Sequence, residues 1–251
     1  MGLRSTEDAF GQEMLAYLRG ETVYEIVERD DGFIQAAQSG PGMYFAPYEN
    51  WMPQEKEAIE YAHGRVLDVG CGAGRVCLYL QGRGHEVMGI DNSPGALEVC
   101  RQRGVSETKL LSITQVSARL GIFNTIVMYG NNFGLLGSPV RAKSLLKRFH
   151  RMTSPGGRIL AVSNDIYQTT DPDHLAYHQF NRRRGRIAGQ IRIRIRYKHS
   201  KSPWFDYLLA SPEEMAEILE GTGWRIQRVI SAEGTPIYAA VIFKEGYSNF
   251  D

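Results

Sequence analysis

Two carboxylates and three glycines between residues 64 and 91 form the constellation in this chain with the clearest chemistry. Asp68 lies within a short apolar run, Val66-Leu67-Asp68-Val69, and Gly70, Gly72 and Gly74 follow in alternate positions before a helical pattern opens at Arg75. The apolar run reads as a buried parallel strand. Glycine after such a strand lets the chain bend sharply and lets a ligand lie directly against the backbone. The unpaired amides at the start of the helix then face that ligand. Asp91 ends a second apolar strand, Glu86–Asp91, about 20 residues on, where a carboxylate accepts hydrogen bonds from ribose hydroxyls. Asp68 sits at the strand end, where a diphosphate would be repelled. A cationic ligand with an adenosine half and an amino-acid half therefore fits this pair better than a pyridine dinucleotide does.

A glycine-rich turn by itself is shared with dinucleotide-binding folds. The full stretch Leu67-Asp68-Val69-Gly70-Cys71-Gly72-Ala73-Gly74, however, resembles the first motif of the class I S-adenosylmethionine-dependent methyltransferases, and Ile90-Asp91 resembles their second. The resemblance implies that the turn holds the methionine part of S-adenosyl-L-methionine against Gly70, Cys71, Gly72 and Gly74. It also implies that Asp68 meets the ammonium group and that Asp91, with Asn92, meets the ribose. Many of these enzymes carry an acidic residue after the third strand, facing the adenine amino group. Here Ser112 stands in that place, with Ile113 available to pack on the adenine face. The turn after the fourth strand, Tyr129-Gly130-Asn131-Asn132, lies beside the reacting centre in the family, which implies donor contacts for Tyr129, Gly130 and Asn131 and a substrate contact for Asn132. Asn131 and Asn132 either orient substrate or sulfonium through their side-chain carbonyls or shape the turn by accepting left-handed backbone angles.

The elements that must hold these residues are legible as pattern. Thr6–Leu18 reads as a helix, while 22–29 suits a helix or a strand. Residues 40–51 are rich in turn formers and aromatics. In related methyltransferases this segment often lids the active site, which would put Tyr44 and Tyr48 over the substrate; the alternative is that these rings pack the N-terminal helices onto the sheet. A helix at 54–62 leads into the first strand. Ser93-Pro94 caps the next helix, and Gly104 stops it. Strands follow at 109–111, 123–129 and 158–163, the last after the turn Pro155-Gly156-Gly157. Ser211-Pro212-Glu213-Glu214 is a capping box, and strands at 224–230 and 237–243 finish the chain. In the family these last two form an antiparallel pair that dinucleotide dehydrogenases lack. The expected fold is α/β: a Rossmann-like seven-stranded methyltransferase sheet, mostly parallel with the last strand antiparallel, flanked by helices, with a β-containing insertion before the last helix. A single domain over 1–251 is expected, with an N-terminal helical or lid segment at 1–52 and the insertion at 164–210 covering the substrate pocket.

That insertion is longer than an ordinary connection. Residues 171–180 suit a helix, with His174 and His178 on one face. As metal ligands they would need a third partner, and only Asp171 or Asp173 is near, so the preferred reading is a solvated or substrate-facing helix without metal. Either histidine, or Tyr48, is a candidate general base. Tyr167 and Arg194 are candidates for the substrate side. Asn181–Arg186 reads as a basic turn, and Gln190–Tyr197 alternates isoleucine with arginine at period two. Arg192, Arg194 and Arg196 share one face, either to meet an anionic substrate or RNA phosphate or to keep an edge strand soluble and unpaired. Residues 204–209 read as a partner strand, the two together roofing the pocket.

Composition narrows the function. A formal net charge of +1 predicts no global attraction to nucleic acid or acidic membranes. Cys71, Cys77 and Cys100 form no CxxC pair and no disulfide framework, which suits a reducing cytoplasm. No apolar run is long enough to span a bilayer. The expectation is a cytoplasmic S-adenosylmethionine-dependent methyltransferase moving a methyl group to nitrogen or oxygen of a small-molecule acceptor. The alternatives are an RNA or protein methyltransferase using the arginine strand, and a non-catalytic S-adenosylmethionine-binding protein. Against nucleic acid, the turn after the fourth strand carries neither an Asn-Pro-Pro-Tyr type motif nor a cysteine.

Overall fold

A computed structural model describes residues 2–37 and 40–246. The N-terminal region supplies α1 (Ala9–Leu18), the strands β1 (Glu25–Arg29) and β2 (Ile34–Ala37), and the helices α2 (Gly40–Phe45) and α3 (Pro53–Ile59). Next come β3 (Val66–Val69), α4 (Arg75–Gly82), β4 (Val87–Asp91), α5 (Pro94–Arg103), β5 (Thr108–Leu110), β6 (Phe123–Met128), α6 (Pro139–Arg151) and β7 (Thr153–Asn164). The insertion carries α7 (Pro172–Arg183), β8 (Gln190–Tyr197), β9 (Ser200–Lys201) and β10 (Phe205–Leu208). The chain then forms α8 (Pro212–Leu219), β11 (Trp224–Ser231) and β12 (Ile237–Lys244).

Seven strands make the main sheet in the order β11-β12-β7-β6-β3-β4-β5. Strand β12 runs antiparallel to both of its neighbours, and the pairs from β7 to β5 are parallel. Every residue of β3 and β4 is buried, as a parallel strand covered by helices on both faces must be. Period two then divides the side chains between two cores. Leu67, Val69 and Ile126 pack on one face with Leu145, Phe149 and Trp224. Val66, Val127 and Leu160 pack on the other with Val76, Leu80 and Trp51. The order reverses at β3, which leads to β4 on one side and β6 on the other, so a crevice opens beyond the carboxyl end of β3.

The second sheet departs from expectation. Residues 25–37 form two strands that join the insertion in the order β10-β8-β1-β2, with β9 also paired to β8. The 1–52 segment is therefore part strand. The arginine-isoleucine strand β8 is an inner strand, flanked by β1 and β10. Its arginines do not stand free: Glu28 on β1 takes both Arg194 and Arg196, and Asp206 on β10 takes Arg192. Cross-strand charge pairs of this kind let a charged face lie inside a sheet. Two boundaries also move. The helix α7 continues to Arg183, so Asn181–Arg183, expected as turn, form its last residues, and the Asn181 amide donates to the carbonyls of Ala188 and Gln190. Strand β7 begins at Thr153, with a register shift opposite Phe123/Thr125 that absorbs the Pro-Gly-Gly turn.

The N-terminal region is docked through Asp8, which is 1% exposed. One carboxylate oxygen accepts the Gly11 amide and so caps α1; the other accepts the Gly95 amide at the start of α5. The two helices cross at glycines, where a Cβ on Gly95 would lie 2.7 Å from the Gly11 backbone. Replacing Asp8 by alanine removes a cap and leaves two buried N–H donors, a loss of about 2 kcal/mol. Chemical denaturation of Asp8→Ala is expected to show a lowered midpoint with unchanged slope, and Asp8→Asn a smaller loss.

Candidate active site

The crevice is a cleft of about 650 Å³ between the carboxyl edge of the main sheet and the second sheet, within the range of small-molecule sites. Its floor is the turn after β3. Gly70, Gly72 and Gly74 all take positive φ, at 72°, 54° and 79°, a backbone that side chains oppose. A Cβ added at Gly72 would meet nothing within 4 Å, whereas one at Gly70 would press on Asn132 and Leu135, and one at Gly74 on Val105 and Cys100. Gly72 is thus the point where the backbone lies bare to the cleft. Gly74 does not line it and serves as the N-cap of α4.

Asp68 and Asp91 flank that point, 2% and 7% exposed. Asp91 accepts the Gly72 amide at 3.1 Å on one oxygen and the Ser93 amide at 2.9 Å on the other. These bonds pin the carboxylate to the turn while each oxygen keeps a lone pair for a ligand hydroxyl. Asp68 accepts only the Cys77 thiol, at 3.2 Å. Among the described residues neither carboxylate forms an ion pair. Burial pushes Asp68 up to about 7 and Asp91 up to about 6, in each case as the leading cause.

The other walls come from four more segments. Ser112 and Ile113 line the cleft beyond Asp91. The Ser112 hydroxyl accepts the Thr114 amide and caps the turn at 113–115. Tyr129 lines it with its hydroxyl donated to the Glu55 carbonyl at 2.8 Å. Gly130 and Asn131 follow, Asn131 at φ 63° with its side-chain oxygen buried and unpartnered. The Asn132 amide donates to the carbonyls of Val69 and Gly70, at 3.0 and 2.9 Å, and so fastens this turn to the glycine turn. Asn132 borders the cleft and spends its NH2 group on the backbone. From α2, Tyr44 enters the cleft and donates to Glu25 at 2.8 Å.

Besides Gly74, five expected site residues do not line the cleft, each for a local reason. Tyr48 stacks on Tyr79 at 4.4 Å and packs edge-on against Trp51. His174 packs on Phe33, and His178, 7% exposed, lies beside Tyr167 with burial holding its imidazole below the usual range. Tyr167 donates to Glu214 at 2.6 Å. Arg194 makes a two-pronged pair with Glu28 and lies over Trp204. The structure thus brings together Tyr44, Asp68, Gly70, Cys71, Gly72, Asp91, Asn92, Ser112, Ile113, Tyr129, Gly130, Asn131 and Asn132, and sets the histidines apart from them.

The sequence reading expected a roof from 190–197 and 204–209 but did not name the isoleucines that line the cleft. Ile191, Ile193 and Ile195 face it from β8, the face opposite the paired arginines, and the two-residue alternation was their signal. Arg75 lines it while bound to both oxygens of Glu55. Glu25 and Tyr207 had no signal, since each stands in a short strand with other polar residues. The Tyr207 hydroxyl donates to the Asn131 carbonyl at 2.7 Å, and a side chain at Gly134 would strike the Tyr207 ring.

Residues 66–157 match a family described as "Methyltransferase domain". A Bacillus subtilis (strain 168) protein, YqeM, whose name proposes methyltransferase activity, is 28% identical over 122 residues, 47% of this chain and 49% of that one. The 2-heptyl-1-hydroxyquinolin-4(1H)-one methyltransferase of Mycobacteroides abscessus is 35% identical over 71 residues, 26% of this chain and 31% of that one. The chain spans about half or less of the length of these curated relatives. A Bacteroides fragilis SAM-dependent methyltransferase, crystallised with S-adenosyl-L-homocysteine, superposes with a TM-score of 0.81 over 97% of this chain and 98% of that one, at 24% identity. That likeness is one of fold.

The buried acids make stability depend on pH. Glu13, on α1 with both oxygens buried and unpartnered, is raised to about 9, first by burial and then by Glu25. Glu13, Asp68 and Asp91 all bind protons more tightly in the folded chain than in the unfolded one. Their contribution is full below the unfolded carboxyl values and is lost as pH rises through about 6 to about 9. Denaturant midpoints of the ligand-free protein should fall between about pH 5 and about pH 9. Glu13→Gln should flatten the upper part of that slope.

Proposed function

We propose, from the premise that this chain belongs to the class I S-adenosylmethionine-dependent methyltransferase family, that it transfers a methyl group from S-adenosyl-L-methionine to nitrogen or oxygen of a small-molecule acceptor. The observation that carries the reading is the bare backbone of Gly72 between two buried, ion-pair-free carboxylates. That floor suits a ligand that brings its own positive charge, because burial otherwise disfavours the ionised acids. Asp68 would take the ammonium group, Asp91 with Asn92 the ribose, and Ile113 the adenine face. Ser112, committed to capping, offers no acidic partner to the adenine amino group. When bound, the donor supplies an electrophilic methyl group and leaves as a neutral thioether.

The protein's part is to hold and enclose. Gly130 and Asn131 border the space beyond the glycine turn, and Tyr207 locks their backbone. Holding two reactants in near-attack geometry supplies up to about 7–11 kcal/mol. The second sheet lowers water access with an isoleucine face. A small acceptor is favoured over RNA because the arginines of β8 are committed to Glu28 and Asp206, leaving no free cationic stripe for phosphates. A reducing compartment fits the three buried, free thiols.

Calorimetry with S-adenosylmethionine and S-adenosylhomocysteine tests the donor site. Both should bind, and Asp91→Asn, which keeps an oxygen for one of the two amides, should weaken both about tenfold or more. Unchanged affinity in the variant, or preference for a pyridine dinucleotide, would overturn the reading. Donor affinity should also rise with pH from about 5.5 to about 7.5, as Asp91 and Asp68 ionise.

A further inference from the structure

The acceptor side of the cleft contains one carboxylate that the donor does not need. Glu25, at the start of β1, lines the cleft opposite the glycine turn, half-buried, with the Tyr44 hydroxyl as its hydrogen-bond donor. Among the described residues it forms no ion pair. The cations in the same wall are engaged elsewhere: Arg75 with Glu55, and Arg141 with the carbonyls of Leu135, Leu136 and Asp206. Asp206 itself takes Arg192. Glu13, 0% exposed and with neither of its oxygens partnered, is near enough to feel the Glu25 charge. Glu25 thus lies in a largely apolar wall with no cation paired to it among the described residues. Burial raises Glu25 as well, and the Tyr44 bond only partly opposes this.

Resting on the methyltransferase reading above, we propose that the acceptor is an amine with an apolar body, held as its ammonium ion by Glu25. The surroundings suit both halves of such a molecule. Tyr44 and Phe10 stand edge to face at 5.0 Å, and Tyr207 lies close enough to feel the Glu25 charge, so aromatic rings surround the place of the cation. Ile191, Ile193 and Ile195 face the same space and would take the apolar body. A carboxylate ligand would be repelled by Glu25, and an alcohol would leave the charge unmet. A site built around a buried polar group discriminates strongly against ligands that fail to pair it.

Glu25 would also have a chemical task. An ammonium nitrogen carries no lone pair, so it cannot attack carbon. Passage of one proton from the ammonium to the Glu25 carboxylate restores the pair. The nitrogen–carbon bond then forms as the carbon–sulfur bond of the sulfonium donor breaks, and the bonding electrons stay on sulfur. Tyr207, bonded to the Asn131 carbonyl, links this wall to the turn that borders the donor space.

The test is calorimetric, on the full chain loaded with S-adenosylhomocysteine. The probes are 2-phenylethylamine and hexylamine, each with the matching alcohol and carboxylic acid. The amines should bind at least about tenfold more tightly than their alcohols, and the acids should not bind. Glu25→Gln, in which Tyr44 keeps an oxygen to donate to, should weaken amine binding about tenfold or more while S-adenosylhomocysteine affinity stays within about twofold. Alcohols binding as well as amines, no amine binding to the loaded protein, or amine affinity indifferent to Glu25→Gln would each overturn the amine assignment and leave the donor site standing. Absence of S-adenosylhomocysteine binding to the unaltered chain would overturn both.

Discussion

Everything at this site depends on desolvated negative charge that the protein does not neutralise for itself. Asp68 and Asp91 are buried at the edge of a parallel sheet without a single ion pair between them. Arg75, near enough to Asp68 to favour its ionised form, is turned to Glu55 instead. A buried carboxylate without a cation is costly, and the chain retains two of them around a glycine whose Cβ direction is empty. The cost is offset in the bound state when a cationic ligand restores the missing charge. This arrangement also explains why the turn is so tightly fastened. Asp91 holds the Gly72 and Ser93 amides, Asn132 holds the Val69 and Gly70 carbonyls, and Cys100 donates to the Gly72 carbonyl. A turn bearing uncompensated charge would otherwise swing its carboxylates toward water.

The second sheet solves a related problem by the opposite means. Strand β8 must present an apolar face to the cleft, so period two puts its arginines on the other face. Side by side on one face, unpaired arginines would repel one another. Glu28 sits between Arg194 and Arg196 and accepts from both, while Asp206 takes Arg192 from the far strand. The roof is thereby neutral where it meets its own neighbours. Its inner face carries little charge except at Glu25. The same pairing removes the phosphate-binding stripe that three exposed arginines would have made.

The grouping of residues around the glycine turn was legible in the sequence because it is local. Asp68, Gly70, Gly72 and Asp91 lie in one stretch, and each residue type is demanded by a backbone angle or by a hydrogen bond. Cap residues were equally plain: Ser93 and Ser211 each accept the amide that their position predicts. The roof was half legible. Alternation on 190–197 revealed a strand with one apolar face, but its partner β1 lay in a segment whose pattern suited helix or strand, and strand pairing across 166 residues leaves no local mark. The histidines show the converse error. A shared helix face is a real consequence of spacing, yet it does not say what that face meets, and in α7 it meets Phe33 and Tyr167.

The reach of the family match follows the same physical line. The family match ends at residue 157 and covers the strands and turns that form the donor floor. The residues that close the acceptor side come from β1, α2, β8 and β10, separated in the chain and joined only by pairing in the second sheet. A floor built from contiguous residues is constrained by one ligand and one set of backbone angles. A roof assembled from distant segments is free to change one side chain at a time, because β-sheet pairing holds its backbone whatever faces the cleft. On the amine proposal, acceptor choice would belong to single positions such as Glu25, a half-buried carboxylate on a strand of the second sheet.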